Sequence, residues 1–227
     1  MYRTLIALCL LLPGLCYAQP DKFNFGFSVP LYLKYNVVNG ENTYRRLFGA
    51  TGIDALLKIN GSGENSMSIV LDVGLTADSR PFRLDVSRKL RTDIFCLNIN
   101  PSVTIPSKWQ HIQYCLGIGT LVRLEQHVNF ISKTEDPAGF NTGVDTVYSI
   151  INSKGRSIIP FISLGFSADV GKHLKLQFTV EPTLIDFYEP DTHVNYIAPG
   201  SQHDFVMAYE PVYVGFKLCY FIHPSEM

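Results

Sequence analysis

The sequence predicts an all-β protein, an eight-stranded antiparallel up-and-down transmembrane β-barrel. Two observations lead to this fold class. Apolar and polar residues alternate along eight long segments, and the connections between those segments alternate in length. Alternation with a period of two is typical of a strand with one apolar face. Short turns at one end and longer loops at the other are the plan of a barrel that crosses a membrane.

An export signal is predicted first, over residues 1–18. An apolar run at 5–12 is followed by small residues up to Ala18, where we expect cleavage. The run is too short to span a bilayer as a helix. The barrel domain is then residues 19–227. Cys16 leaves a lipoprotein signal as the alternative.

Eight strands follow, and the first shows the pattern most clearly. Over FNFGFSVPLYLKYNVV every odd residue from Phe23 to Val37 is apolar or aromatic, whereas the even residues are mostly small or polar. The other segments repeat this alternation, which predicts one apolar and one polar face for every strand. The predicted strands are 23–38, 47–60, 67–76, 94–103, 111–125, 158–170, 173–187 and 205–222.

The connections set the orientation of the meander. The first, third, fifth and seventh are longer than the second, fourth and sixth. All the long loops therefore lie at one end, and the short turns and both termini lie at the other. The longest connection, 126–156, is where we expect a partner to bind, because loops on a rigid scaffold often carry function.

The polar faces decide between lipid and a soluble core. They carry five positive and four negative charges, a nearly balanced set that could pair inside a closed barrel, whose interior is just filled by side chains. A soluble secreted β-sandwich or a lipocalin-like ligand binder, with its charges in water, is the alternative. The predicted interior polar network is Lys34, Asp54, Lys58, Asp72, Arg123, Asp169, Lys175, Glu181 and Lys217.

Prolines and aromatic residues add two smaller expectations. Pro30, Pro182 and Pro211 interrupt predicted strands, and a closed barrel has no edge to hold them, so we expect bulges there. Aromatic residues near the strand ends resemble two interfacial girdles. These are Phe23, Trp109, Tyr220 and Phe221 toward the short turns, and Tyr44, Phe187 and Tyr188 toward the loops.

The eight alternating segments, the export signal and the aromatic last strand KLCYFI resemble the small outer-membrane β-barrel proteins of Gram-negative bacteria. The resemblance is architectural and covers the mature chain. It implies a location in the bacterial outer membrane and contact with outer-membrane lipid. It names no activity, because barrels of this kind include anchors, adhesins, transporters, secretion components and some enzymes.

We therefore expect a structural, interaction or secretion-associated role through the extracellular loops, and no catalysis. The partner would be an envelope or secretion-system protein, and no cofactor is expected. A near-neutral composition without a basic stripe argues against nucleic acid. Two alternatives remain open: a barrel enzyme acting on lipid or peptide at the rim, and a small-molecule transporter.

The last long loop holds a weaker candidate site, formed by Asp191, His193, His203 and Asp204. A histidine beside a carboxylate could act as a base at the membrane surface. The same residue types could instead bind a divalent metal. We favour ordinary loop composition over both hypotheses and expect no metal.

Three cysteines follow the export signal, and two of them lie on inward positions of adjacent predicted strands. If the connection centres the pairing near residue 105 or 106, Cys96 and Cys115 lie opposite each other. The cell envelope would permit a disulfide between them. We favour buried free thiols and keep the disulfide as the alternative.

Overall fold

A computed structural model describes residues 23–36, 48–61, 66–83, 88–109, 111–132, 147–151, 155–188, 193–198, 201–206 and 210–222. Within these ranges the chain forms strands and no helix that is long and apolar enough to cross a membrane. The strands are β1 (Phe23–Asn36), β2 (Phe48–Asn60), β3 (Ser68–Arg83), β4 (Arg88–Pro106), β5 (Ile112–Ser132), β6 (Val147–Ile151), β7 (Ile158–Asp169), β8 (Leu174–Pro182), β9 (His193–Ala198), β10 (Ser201–Val206) and β11 (Pro211–Ile222).

Eight of these strands close into a barrel, in the order β1-β11-β8-β7-β5-β4-β3-β2. All neighbours are antiparallel, and the first and last strands form the seam, with Phe25 opposite Ile222. The predicted fold class is therefore confirmed. All eight predicted strands are present, although several of their ends differ.

Polar residues lie on the inner face of the wall and apolar residues on its outer face, as the alternation predicts. In β1, Ser28, Tyr32 and Lys34 are buried inside the barrel, whereas Phe27 and Leu31 are exposed on its outside. The outer face of the other strands is equally apolar. Large exposed residues of the whole outer face include Phe25, Val29, Leu33, Ile53, Ile69, Val73, Leu75, Tyr114, Leu116, Ile118, Leu164, Phe166, Phe216 and Leu218.

This exterior belongs in lipid. Large contiguous apolar surfaces are rare on soluble monomers, and a closed barrel satisfies all its backbone hydrogen bonds within the wall, as a bilayer requires. Short turns connect β2 to β3, β4 to β5 and β7 to β8 at the end that also holds the first residue of β1 and the last residue of β11. We assign this end to the periplasm.

Three strands continue beyond the barrel wall at the opposite, extracellular end. Pairing of β2 with β3 stops at Asp78, and pairing of β5 with β7 stops at Val122. Pairing of β3 with β4 and of β4 with β5 continues to Arg83 and Ser132. We call the continuation the arm: residues 79–83, 88–93 and 125–132.

The arm corrects the prediction that residues 77–92 are a polar connection and that β5 ends at residue 125. Outward positions turn polar at its base, where Ser79, Asp93 and His127 share a row. The next such row, Pro81, Arg91 and Asn129, also lacks the large apolar residues of the lipid face, so that apolar row ends while the hydrogen-bonded ladder continues.

A second correction concerns the two longest predicted loops. Parts of them pair as a separate three-stranded sheet, in the order β10-β9-β6. Residues 205 and 206, which were predicted to begin the last barrel strand, end β10 instead, and β11 begins at Pro211. These short strands lack the long alternation that identifies the wall.

The prolines also differ from expectation. At Pro30 the β1–β11 pairing is continuous, and the β1–β2 ladder resumes in the same register after a gap, so there is no bulge. Pro182 ends β8 and Pro211 begins β11, where a missing N–H is tolerated. The register shift that the structure does contain lies between Phe95 and Cys96, in the β4–β5 pairing.

Candidate functional site

The barrel interior is built around one fully buried cation, Lys217. Its ammonium lies 3.1 Å from Asp72 Oδ2 and 3.4 Å from Glu181 Oε1, and its side chain is 0% exposed. The Asp54 carboxylate also interacts electrostatically with it, and the Tyr32 ring lies 5.9 Å away. Buried charges are tolerated only when they are paired and hydrogen-bonded, and this cluster provides both.

Hydroxyl groups from other strands hold two of these carboxylates in place. Ser28 Oγ donates to Asp54 Oδ2 at 3.1 Å, and Ser163 Oγ donates to Glu181 Oε1 at 3.1 Å. Because Asp72 on β3 and Glu181 on β8 face each other across the eight-strand order and both contact Lys217, the cluster joins opposite sides of the wall. These contacts therefore stabilise the closed shape of the barrel.

A second network lies above the first, toward the extracellular end. Lys34 forms an ion pair with Asp78 and donates to the Ser79 carbonyl at 3.1 Å. Tyr213 OH donates to Asp78 Oδ2 at 2.9 Å, and its ring packs edge-on against Tyr32 with centroids 5.8 Å apart. The two networks are thus joined through aromatic packing.

The periplasmic end of the interior is more open to water. Lys175 lies 2.9 Å from Asp169 Oδ1 and donates to Gln113 Oε1 at 3.0 Å. Lys58 and Lys175 line the same small cavity, of about 20 Å³. Another cavity, of about 10 Å³, lies beside Tyr32 and Glu181. Cavities of these sizes hold about one or two water molecules.

Main-chain segments cover the extracellular mouth. The Arg123 guanidinium donates to the Gly155 carbonyl and, at 2.9 Å, to Gln126 Oε1. The Arg156 N–H donates to the Phe187 carbonyl at 2.7 Å. The Phe187 and Tyr188 side chains are each almost fully buried, so the predicted place of these two residues in an outer aromatic girdle is wrong.

The nine residues predicted for the interior network divide into three groups. Lys34, Asp54, Asp72, Glu181 and Lys217 are buried in the two networks. Lys58, Lys175 and the more exposed Asp169 lie near the periplasmic end, and Arg123 lies at the extracellular mouth. Sequence reasoning missed Asp78, because it fell inside a segment predicted to be a loop. It also missed Tyr32, Tyr213, Ser28 and Ser163, which are uncharged polar groups on predicted inward positions.

The disulfide alternative is wrong. Cys96 pairs with Arg123 and Cys115 pairs with Thr104, so the two cysteines are eight positions apart along the ladder, on the order of 27 Å. Both thiols are buried and form no disulfide, and the same holds for Cys219. The expected centre of the turn was wrong because β4 and β5 run past residue 103 and meet at a later turn.

Three of the four residues of the candidate site in the last long loop, His193, His203 and Asp204, lie on strands β9 and β10. His193 pairs with Val206, His203 with Tyr196 and Asp204 with Asn195, whereas Asp191 lies outside the described residues. The two histidines are three positions apart along the β9–β10 ladder. Among the described residues, no group of three or more His, Cys, Asp or Glu side chains could hold a metal ion.

The arm carries a cluster of basic residues. Residues 79–93 contain five basic residues, Arg80, Arg83, Arg88, Lys89 and Arg91, against Asp85 and Asp93. The whole chain, in contrast, has a formal net charge of −1. A cluster of basic residues therefore lies on strands beyond the extracellular end of a barrel whose interior is filled by side chains.

Comparison with known proteins gives structural neighbours alone. No family model matches the chain, and no curated protein matches it. The crystal structure of Ail from Yersinia pestis with the heparin analogue sucrose octasulfate is 8% identical, with a TM-score of 0.40, and covers 88% of this chain and 99% of Ail. OprG from Pseudomonas aeruginosa is 12% identical at a TM-score of 0.38, covering 87% and 94%. CarO from Acinetobacter baumannii is 13% identical at 0.39, covering 86% and 96%.

The barrel wall formed by the eight strands identifies the class of protein. Its eight antiparallel strands close without an edge, its outer face is apolar, and its inner face carries paired charges. Soluble barrels place their apolar side chains inside, whereas transmembrane barrels place them outside. The chain is an eight-stranded outer-membrane β-barrel, located in the bacterial outer membrane.

Proposed function

We propose that this protein is a non-catalytic binding protein of the cell surface. The barrel is its anchor, and the arm is its binding surface. One observation supports this most directly: three strands leave the membrane as a continuous sheet above an interior that side chains fill. β5 extends on the order of 30 Å past its last pairing with β7.

The charge of the arm favours an anionic partner. The arm contains five basic residues and two acidic ones, Asp93 and Glu125, which leaves an excess of three positive charges. A concentrated positive surface attracts anionic groups and raises the rate of encounter with them. Arginine, which supplies four of the five cations, also binds phosphate, sulfate and carboxylate groups through paired hydrogen bonds.

The test compares two matched double variants of the folded protein in detergent. Arg80→Gln with Arg83→Gln removes two charges from the arm, and Arg45→Gln with Arg46→Gln, the control, removes two from the connection between β1 and β2. We expect retention on immobilised heparin, used as a generic polyanion, to fall for the arm variant and to stay unchanged for the control. Equal retention of wild type and both variants would contradict the proposal.

The transporter alternative makes a different prediction. A lumen crossed by the Lys217 cluster should leave a planar bilayer electrically silent, and vesicles should not take up small solutes. Conductance of the wild-type protein at a level that Lys217→Ala does not change would favour transport. The rim-enzyme alternative predicts a hydrolytic activity toward lipid or peptide that His193→Ala with His203→Ala abolishes.

A further inference from the structure

Two neighbouring turns at the periplasmic end form a rigid pair. In the β4–β5 turn, the Ser107 N–H donates to the Ile112 carbonyl at 3.1 Å, and the Trp109 N–H donates to Ser107 Oγ at 3.0 Å. In the β7–β8 turn, the Val170 N–H donates to the Leu174 carbonyl at 2.9 Å. These bonds hold the backbone of both turns in place.

The two turns are also tied to each other. The Asp169 N–H donates to the His111 carbonyl at 3.1 Å, and β5 and β7 pair directly above this bond. On the far side, His173 Nδ1 lies 3.1 Å from the Phe221 carbonyl, and its ring packs 5.7 Å from that of Tyr220. The two turns therefore form one surface.

That surface is basic and aromatic. We call it the rim patch: Lys108, Trp109, His111, Lys172 and His173. Trp109 is 66% exposed, and Lys108, His111 and Lys172 are exposed as well. The remaining periplasmic turn, residues 61–67, contains Glu64 and no lysine or arginine in its sequence. Among the described residues of this end, the exposed lysines are Lys108 and Lys172.

The rim patch borders the apolar exterior. Ile105, Tyr114 and Val170 are exposed beside the two turns, so the patch lies where hydrocarbon meets headgroups. Tryptophan and tyrosine prefer this depth, and lysine can extend from it to reach the polar layer. Among the described residues of this end, the exposed carboxylate is that of Asp169, and Lys175 neutralises it at 2.9 Å.

We propose that the rim patch binds the headgroups of anionic phospholipids in the periplasmic leaflet. Two ammonium groups face the headgroup layer, and an indole ring fixes their depth. Near a membrane surface, each lysine should favour an anionic over a zwitterionic lipid by up to roughly fivefold at low salt. The patch would thus select the lipids around one side of the barrel.

Trp109 is the single tryptophan of the chain, so its fluorescence reports on the rim patch directly. The barrel is folded into mixed vesicles of phosphatidylcholine and phosphatidylglycerol, with brominated acyl chains on one lipid or on the other. We expect brominated phosphatidylglycerol to quench Trp109 more strongly, mole for mole, than brominated phosphatidylcholine does. High salt should reduce this difference, because the attraction is electrostatic.

Matched variants separate the outcomes. Lys108→Gln with Lys172→Gln should bring the two quenching values close to equality, whereas Arg80→Gln with Arg83→Gln, at the other end, should leave the difference intact. Equal quenching in the wild type would overturn the proposal, and it is the result expected if the patch instead binds a periplasmic protein. A preference that survives loss of both lysines would also overturn it.

Discussion

The inner and outer faces of the same eight strands are stabilised in different ways. Outside, Phe27, Leu31 and Ile118 are exposed, and lipid is the solvent that makes this favourable. Inside, Lys217 is completely enclosed and its charge is offset by carboxylates from three other strands. The outer face therefore depends on the bilayer, and the inner face depends on internal pairing.

The two faces therefore differ in how many other residues are affected when one side chain is replaced. An outer residue mostly meets lipid, so its contribution depends on its depth in the membrane. An inner residue belongs to a network, so removing it leaves partners without compensation. Substitutions on the two faces should thus differ in how much they lower the free energy of unfolding and in which second substitution restores it.

The largest effect is expected for Lys217→Met. It leaves Asp54, Asp72 and Glu181 buried without their shared cation, and breaking a buried ion pair in this way costs about 3–5 kcal/mol. Urea unfolding of the barrel in lipid vesicles would measure it. Adding Asp72→Asn and Glu181→Gln to this variant should recover part of the loss, and an unchanged free energy of unfolding for Lys217→Met alone would show that the pairing is unimportant.

A smaller effect, which depends on depth, is expected on the outer face. Ile118, 68% exposed, lies in the middle of the apolar row of β5, and Ile118→Arg should cost about 2–4 kcal/mol in a bilayer. Leu124, 58% exposed, lies next to Glu125 at the base of the arm, so Leu124→Arg should cost about 0–1 kcal/mol. Equal costs in the same urea titration would mean that lipid does not cover this face as we infer.

The smallest of the three effects tests packing rather than charge. Gly119 lies opposite Phe161 across the β5–β7 pairing, and a Cβ at this glycine would overlap the buried phenyl ring. Gly119→Ala should destabilise the barrel by about 1–3 kcal/mol through overpacking. Gly171→Ala is the matched control, because open space surrounds that turn position. A comparison of melting temperatures in detergent would show whether the interior is as tightly filled as the structure indicates.

Sequence reasoning succeeded where lipid constrains each residue. The period-two pattern predicted all eight wall strands and the inward positions of Lys34, Asp54 and Lys217, because every second side chain must face hydrocarbon. It failed beyond the membrane. In the stretch SRPFRLDVSRKLR the apolar residues move from the odd positions of the lipid face to even positions, among many charges, so the arm strands and the buried Asp78 at their base were read as a loop.

Register was the second failure, and its cause is different. Alternation says which way a residue points but not which residue lies opposite it. The pairing of Cys96 depends on where the β4–β5 turn closes, and a turn later than expected moved its partner from Cys115 to Arg123. The central ion pair had the same limitation: Lys217 and Asp72 are far apart in sequence, and each pattern alone predicts only an inward charge.

The seam between β1 and β11 has a consequence for how the molecule is made. Twelve residue pairs join the first strand to the last, from Phe25 with Ile222 to Asn36 with Pro211. Contacts of such long sequence separation form late, since a large loop must close first. Until the C-terminal strand arrives, every shorter chain presents two bare strand edges, which are templates for aggregation. A partly built barrel therefore keeps two unpaired edges until β11 closes against β1.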